Sequence, residues 1–394
     1  MNFVSLVLVN LGRNKLRTVL TTLSVTMALF LFCALGGILD TLKASIEAGS
    51  RQRLITRNAI SLVFPMPQSY GPRIAAVDGV RKVAIQNWFG GQDPRGNQHF
   101  YAQFGVDDAF WDIYRKEMII VQASEPATPV AVPEGADPKL AGYFAEQTSC
   151  VIGEKLLLKN EWKLGQTITL NGTIYPGNWE YTIRAVYRAK DPAFGEETMF
   201  FPYRYLEQKG MGGSGQAGIY VLDLTSPDRA IGVTKVVDEM FKNSNAATRT
   251  ESEQAFQAGF VSMYGNIPFV LRVIGLAVVF AILGIAANTM MMAMRERTAE
   301  FGVMKTLGFS DSTVFALVLS EAAIITLGGG ILGALLAKLS VSGLTTGFLP
   351  PLVIEWSTIA TGIGVAVLLG AVSGLVPAYQ ASKLRIVDAL RRVD

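Results

Sequence analysis

Histidine occurs once in this 394-residue chain, at His99, and cysteine twice, at Cys33 and Cys150. Zinc sites draw about three or four ligands from Cys, His and carboxylates, so a Cys/His metal site is nearly excluded. Charge is also scarce: 17% of residues are charged, against about a quarter in soluble domains. No G-x-x-x-x-G-K-[ST] run occurs, and the Gly-rich stretch 210–218 lacks the Gly-Lys-Ser/Thr ending. The chain is therefore not its own P-loop ATPase. Its 35 basic and 32 acidic residues give a net charge of +3, too even for the concentrated basic face of a nucleic-acid binder. Spacing assigns no Ser/Asp or Cys partner to His99, so no catalytic residue is named and a surface or packed histidine is favoured.

Apolar residues are abundant, at 50% with a mean hydropathy of +0.33, and they gather into four runs. Thr18–Leu39 and Val273–Met294 each hold 22 residues without a charge. Ser312–Ala337 holds 26, interrupted only by Glu321, and Trp356–Ser382 holds 27, with Pro377 near its end. About 20 apolar residues in a helix cross a bilayer core, so each run predicts a span. The first run exceeds the apolar core of a signal peptide, about 7 to 15 residues, and bulky Phe32 before Cys33 does not suit cleavage. An uncleaved first helix is expected. The layout predicted is a segment 1–17, spans at 18–40, 267–294, 311–338 and 356–378, a large domain at 41–266, loops at 295–310 and 339–355, and a tail at 379–394.

Basic residues on short flanks mark the cytoplasmic side. Arg13, Lys15 and Arg17 precede the first span, Arg295, Arg297 and Lys305 follow the second, and Lys383, Arg385, Arg391 and Arg392 follow the fourth. Both termini and the 295–310 loop are therefore expected in the cytoplasm, and the large domain outside, in a bacterial envelope. That segment has 226 residues, 23 basic and 24 acidic, enough for one or two compact domains. Alternation and β-branching predict strands at 166–170, 181–186 and 218–222, with Asn171-Gly172 as a hairpin turn. Helices are predicted at Ala230–Phe241 and Glu251–Met263, and a loop over Ser124–Pro138. With Cys33 in a span and Cys150 outside, no intrachain disulfide is expected, and Cys150 reads as a small buried residue.

The loop after the second span carries the most information. Phe301, Met304 and Leu307 recur at spacing three, as one apolar face of a short helix. Arg297 can pair with Glu300 at i, i+3. Gly308 suits a left-handed helix end, and Ser310 suits the N-cap of the next helix, with Asp311 at its positive end. The plain reading is an interfacial helix. The sharper one is a docking element whose apolar ridge enters a groove of a soluble partner.

Arg295-Glu-Arg-Thr-x-Glu-Phe-Gly-Val-Met-Lys-Thr-Leu-Gly308 closely resembles the signature after the second span of MacB/FtsX-type (mechanotransmission) ABC transporter permeases. Phe315, Leu319, Glu321, Gly328-Gly-Gly330 and Gly333 continue the likeness, and Pro377–Arg391 resembles the family's ending, with Ile386 where a Pro is usual. Asn14–Thr22 is similar to its start. The resemblance implies an α-helical membrane protein with four transmembrane helices and a large α+β extracytoplasmic (MacB-like periplasmic) domain, in two subdomains, between helices 1 and 2. It implies that a cytoplasmic ABC ATPase docks on Arg295, Glu296, Arg297, Glu300, Phe301, Met304, Lys305, Leu307 and Gly308. ATP and Mg would be bound by that partner, with no cofactor on this chain. A second permease chain, identical or not, is also implied; a periplasmic adaptor or outer-membrane partner is left open. No ATPase domain precedes the first span, so the ATPase is expected as a separate polypeptide, as in the lipoprotein-releasing LolC/LolE permeases. The implied function is export or extraction of an amphiphile (drug, peptide, lipid or lipoprotein) through movement of the outer domain. The alternative is FtsX-like signalling to an external hydrolase or sensor.

Within the spans, Glu321 is a costly charge and so a functional candidate, roughly 14 Å into the third span at about 1.5 Å per residue. It is expected to be protonated or to face a polar interior near Asn288 or Thr289. Gly329 with Gly333, and Gly370 with Gly374, read as intrasubunit packing seams. Lys338 reads as snorkelling to the outer surface.

Overall fold

The computed structural model describes residues 7, 9, 12–94, 101–191, 194–209, 215–262, 265–341 and 352–386. His99, the stretch 210–214, Met263, and Arg391 and Arg392 of the tail lie outside the described residues. The chain divides into two compact units, one helical and one α/β, the second formed from residues 42–265.

Among the described residues, the helical unit contains four helices long and apolar enough to cross a membrane: Lys15–Glu47, Ile267–Glu296, Asp311–Val341 and Trp356–Ser382. They are called the first to fourth membrane helices below. The first runs on into the start of the α/β unit. Glycine lets these helices approach closely. A Cβ on Gly329 would lie 2.9 Å from the Thr22 carbonyl oxygen, and one on Gly333 would lie 2.4 Å from that of Thr26, so both close a seam between the third and first helices. Gly370 and Gly374 do the same between the fourth and third helices, against Thr326 and Ala322. Away from the 295–310 loop, Asp40 accepts hydrogen bonds from the Glu355 amide (3.0 Å) and the Thr358 hydroxyl (2.7 Å). Lys338 donates to the Ile354 carbonyl (3.1 Å) with its amine 4.0 Å from the centre of the Trp356 ring.

The α/β unit is built on one mixed sheet. Its spatial order is Thr248–Ser252, Arg53–Asn58, Ile219–Leu224, Val80–Trp88, Ala102–Val106, Thr198–Pro202, Ser149–Gly153, Gly177–Ala189, Thr167–Gly172 and Gly91–Gln92, with Met118–Ala123 also paired to Gly177–Ala189. Two of its pairings are parallel, Thr198–Pro202 with Ala102–Val106 and Ser149–Gly153 with Gly177–Ala189. Successive residues of a strand point to opposite faces, and here both faces are covered. Leu54, Cys150, Ile152, Phe201 and Tyr220 pack on one face, while Ile55, Val151, Phe200 and Val221 pack on the other. Burial on both sides explains uninterrupted apolar strands such as Ser149–Gly153. The sheet carries both cores, one on each face.

The strands read from the sequence are present, and the helix Ala230–Phe241 has the predicted bounds. The helix expected over Glu251–Met263 starts at Glu253, because Thr248–Ser252 is the sheet's edge strand. The hairpin turn is displaced. Asn171 and Gly172 are strand residues paired with Asn178 and Gly177, so the connection is 173–176. Gly172 is needed for close approach instead, since a Cβ there would lie 1.9 Å from the Tyr175 carbonyl oxygen. Cys33 and Cys150 are both buried and unpaired, and burial pushes the Cys150 thiol pKa upward.

Gly329→Val is expected to lower the melting temperature of the purified chain in detergent. Gly328→Ala, where an added Cβ meets nothing within 4 Å, is expected to leave it unchanged or raise it, since alanine favours a helix by up to about 1 kcal/mol. Equal melting of the two variants would show that no close seam forms at Gly329.

Candidate functional site

The second membrane helix ends at Glu296, and Arg297 interrupts it with its amide bonded to the Met294 carbonyl (3.2 Å). A short helix, Thr298–Thr306, follows. It ends as the sequence predicts: Gly308 has φ +93°, its amide bonds to the Lys305 carbonyl, and the Phe309 amide bonds to that of Met304. This is the paired bonding of a Schellman end, which glycine's freedom at positive φ permits. The Ser310 hydroxyl accepts from the Thr313 amide (3.3 Å) at the start of the third membrane helix.

The inward stripe of the loop helix is Thr298, Phe301, Gly302 and Lys305. Phe301 is 1% exposed and packs with Met294, Val314, Leu317, Val318, Ala378 and Ala381. Met304 is partly buried at the edge of that cluster, while Leu307 is 73% exposed. The three residues expected to form one ridge therefore do not. Each step of three advances about 300°, so two steps wind the row about 120° round the helix. The outward apolar pair is Val303 and Leu307, four apart. That spacing was present in the sequence, and it is the signal the spacing-three reading missed.

Glu321 is paired with Arg297, one guanidinium nitrogen lying 3.0 and 2.8 Å from its two oxygens. The polar interior expected near Asn288 or Thr289 is not its surroundings: Asn288 is exposed on the second helix, and Thr289 bonds to the Ile285 carbonyl in its own helix. Arg297 also bonds Glu300 (3.2 Å), the predicted i, i+3 pair, and lies over the Phe301 ring. In the first turns of the third helix Val314, Leu317 and Val318 are buried in the same cluster as Phe301 of the loop helix. From Glu321 to Lys338 the helix rises about 26 Å, near the ~30 Å of a hydrocarbon core.

Other charges at this end are mostly spent on each other. Arg13 pairs with Glu300 (2.8 Å) and Arg17 with Glu296. Lys305 reaches Asp311 (2.8 Å) and the carbonyls of Ser382 and Leu384 at the end of the fourth helix. Arg295 is exposed and pairs with no acid among the described residues. No group of three or more His, Cys, Asp or Glu that could hold a metal occurs among the described residues.

The α/β unit has a separate cavity of about 480 Å³ lined by Ser69, Pro72, Val83, Ile85, Asp107 and Tyr220 among others. Asp107 accepts from the amides of Ile85 (3.0 Å) and Phe110 (3.3 Å). Burial outweighs these bonds and raises its pKa to about 6.

The MacB-like periplasmic core domain family matches residues 18–239, and the FtsX-like permease C-terminal family matches residues 272–386. The macrolide export ATP-binding/permease protein MacB of Nitrosomonas europaea is 27% identical over 205 residues, covering 50% of this chain and 30% of that protein. The uncharacterized ABC transporter permease YvrN of Bacillus subtilis is 36% identical over 105 residues, covering 26% of this chain and 25% of that protein. The chain thus aligns with less than a third of the length of either relative. The crystal structure of the periplasmic region of MacB from Actinobacillus actinomycetemcomitans is similar at a TM-score of 0.36 and 10% identity, covering 55% of this chain and 95% of that one.

Two outcomes are expected. Glu321→Leu leaves Arg297 without its main partner and is expected to destabilise the helical unit by about 3 kcal/mol or more. The double variant Arg297→Met/Glu321→Leu should cost less than that single change. Chemical unfolding in detergent would show it, and a double variant worse than either single one would contradict the pairing. For Asp107, the folded pKa of about 6 lies above the ordinary 3.8. Its contribution is therefore fully present below the ordinary value and is lost as pH rises through about 6. Asp107→Asn should lose less stability than the native chain between about pH 4 and 7, as read by melting temperature; parallel pH profiles would contradict it.

Proposed function

Because the chain belongs to the MacB/FtsX-type family of ABC transporter permeases, we propose that it couples ATP hydrolysis by a separate cytoplasmic ATPase to movement of its α/β unit. The observation carrying this reading is the loop helix, tied to its own bundle along one side and apolar on the other. Phe301, Lys305 and Arg297 hold the inner side. Val303 and Leu307 form the outer side, with exposed Arg295 at one end. An apolar pair and an exposed cation without an acid partner among the described residues suit a groove with an acidic rim. In this proposal Phe301 and Met304 hold the helix in place, and Val303 and Leu307 enter the ATPase.

ATP and Mg belong to the ATPase in this proposal. The basic flanks support a bacterial inner-membrane protein with both termini in the cytoplasm and the α/β unit in the periplasm. Asn288, exposed beside Thr289 on an otherwise apolar stretch of the second helix, supports a second permease chain, because a polar group within a membrane is favoured where another chain can satisfy it. The cargo proposed is an amphiphile extracted or expelled from the outer side.

Val303→Asp and Leu307→Asp are each expected to abolish co-purification of ATP-hydrolysing activity with the tagged chain while leaving its melting temperature unchanged. Phe301→Asp is expected to lower the melting temperature itself. Full recovery of ATPase with both outward variants would refute the docking face.

A further inference from the structure

The α/β unit carries a buried charge cluster at the place where the chain enters it and prepares to leave it. Arg53 opens the strand that follows the first membrane helix, and Glu253 opens the helix Glu253–Ser262 that precedes the second. The two are 200 residues apart in sequence, and their side chains meet at 2.8 Å, 6% and 8% exposed. The same Glu253 oxygen accepts the Ser50 amide (2.7 Å), and its other oxygen accepts the Tyr114 hydroxyl (2.7 Å). The Arg53 guanidinium lies 4.4 Å from the centre of the Tyr114 ring and also donates to Glu117. Beside the cluster the backbones nearly touch: a Cβ on Gly49 would lie 2.9 Å from the Gln254 nitrogen.

An apolar core would stabilise this spot as well or better, because taking charges out of water offsets most of what their pairing gives. A hydrogen-bonded ion pair supplies direction, fixing two segments in one geometry. Here the segments are the outgoing and the returning chain, and one carboxylate holds both. Gly265, which has φ +80°, gives the connection toward the second membrane helix freedom to bend, while the close contact at Gly49 ties the outgoing segment to the returning one.

We propose that Arg53 and Glu253 are positioning residues for coupling, clamping the outgoing and returning chain so that movement of either membrane helix reaches the sheet and is not absorbed around Gly265. The proposal rests on the coupling reading above. Its test uses the full chain with its co-purified ATPase in lipid nanodiscs, spin-labelled at Ile231→Cys and Phe280→Cys. Both sites are exposed, and the native cysteines are buried. The native clamp is expected to show a shift in the distance between the labels on adding ATP. Arg53→Met/Glu253→Met should bind the ATPase and hydrolyse ATP as before yet lose most of the shift. Gly49→Val, which forces the same segments apart without touching a charge, should lose it too. An unchanged shift in both variants would overturn the clamp. Absence of a shift with the native clamp, despite ATP hydrolysis, would overturn the coupling reading itself.

Discussion

A carboxylate ten residues inside an apolar helix must find a cation, and Glu321 finds Arg297. Much of this end of the bundle follows from that pairing. The second membrane helix has to break at Arg297 to deliver the guanidinium. The short helix that follows then lies against the third and fourth helices, with Phe301 between Val314, Leu317 and Ala378. The chain must next reverse within a few residues, which the positive φ of Gly308 allows. Ion pair, buried aromatic and glycine turn thus form one unit of local order, each fixing where the next can sit.

The same geometry changes how the basic flanks are understood. Counted along the sequence, they look like a positively charged surface. In the folded chain Arg13, Arg17, Arg297 and Lys305 face acids of the same chain. The more exposed pairs of Arg13 and Arg17 contribute little to stability, about 0 to 1 kcal/mol each. Their effect is to tie the first helix to the loop and to leave Arg295 and an apolar pair as the distinctive outward chemistry.

Long-range patterns were legible in the sequence and side-chain partners were not. Four long apolar runs, the third broken only by Glu321, gave the four helices, because length and hydropathy alone define them. The Gly308 turn, the Ser310 cap and the Arg297–Glu300 pair were local, and local rules found them. The partner of Glu321 was missed because it depends on where the chain doubles back. The face of the loop helix was misjudged because a spacing of three drifts where three and four together do not. The Arg53–Glu253 contact bridges 200 residues, and nothing in either neighbourhood announces it. The Asn171-Gly172 turn failed because the glycine was needed for a close carbonyl, not for a turn.

The third membrane helix is fastened at both ends of its lipid-length stretch, by Glu321 to Arg297 and by Lys338 to Ile354 and Trp356. A helix with one free end adapts to a thin or thick bilayer by tilting or by letting its last side chains reach for water. This one has both options restricted, since the groups that would reach are already engaged. Tilting away, or reaching for water at either end, would therefore break a bond this helix makes within its own bundle.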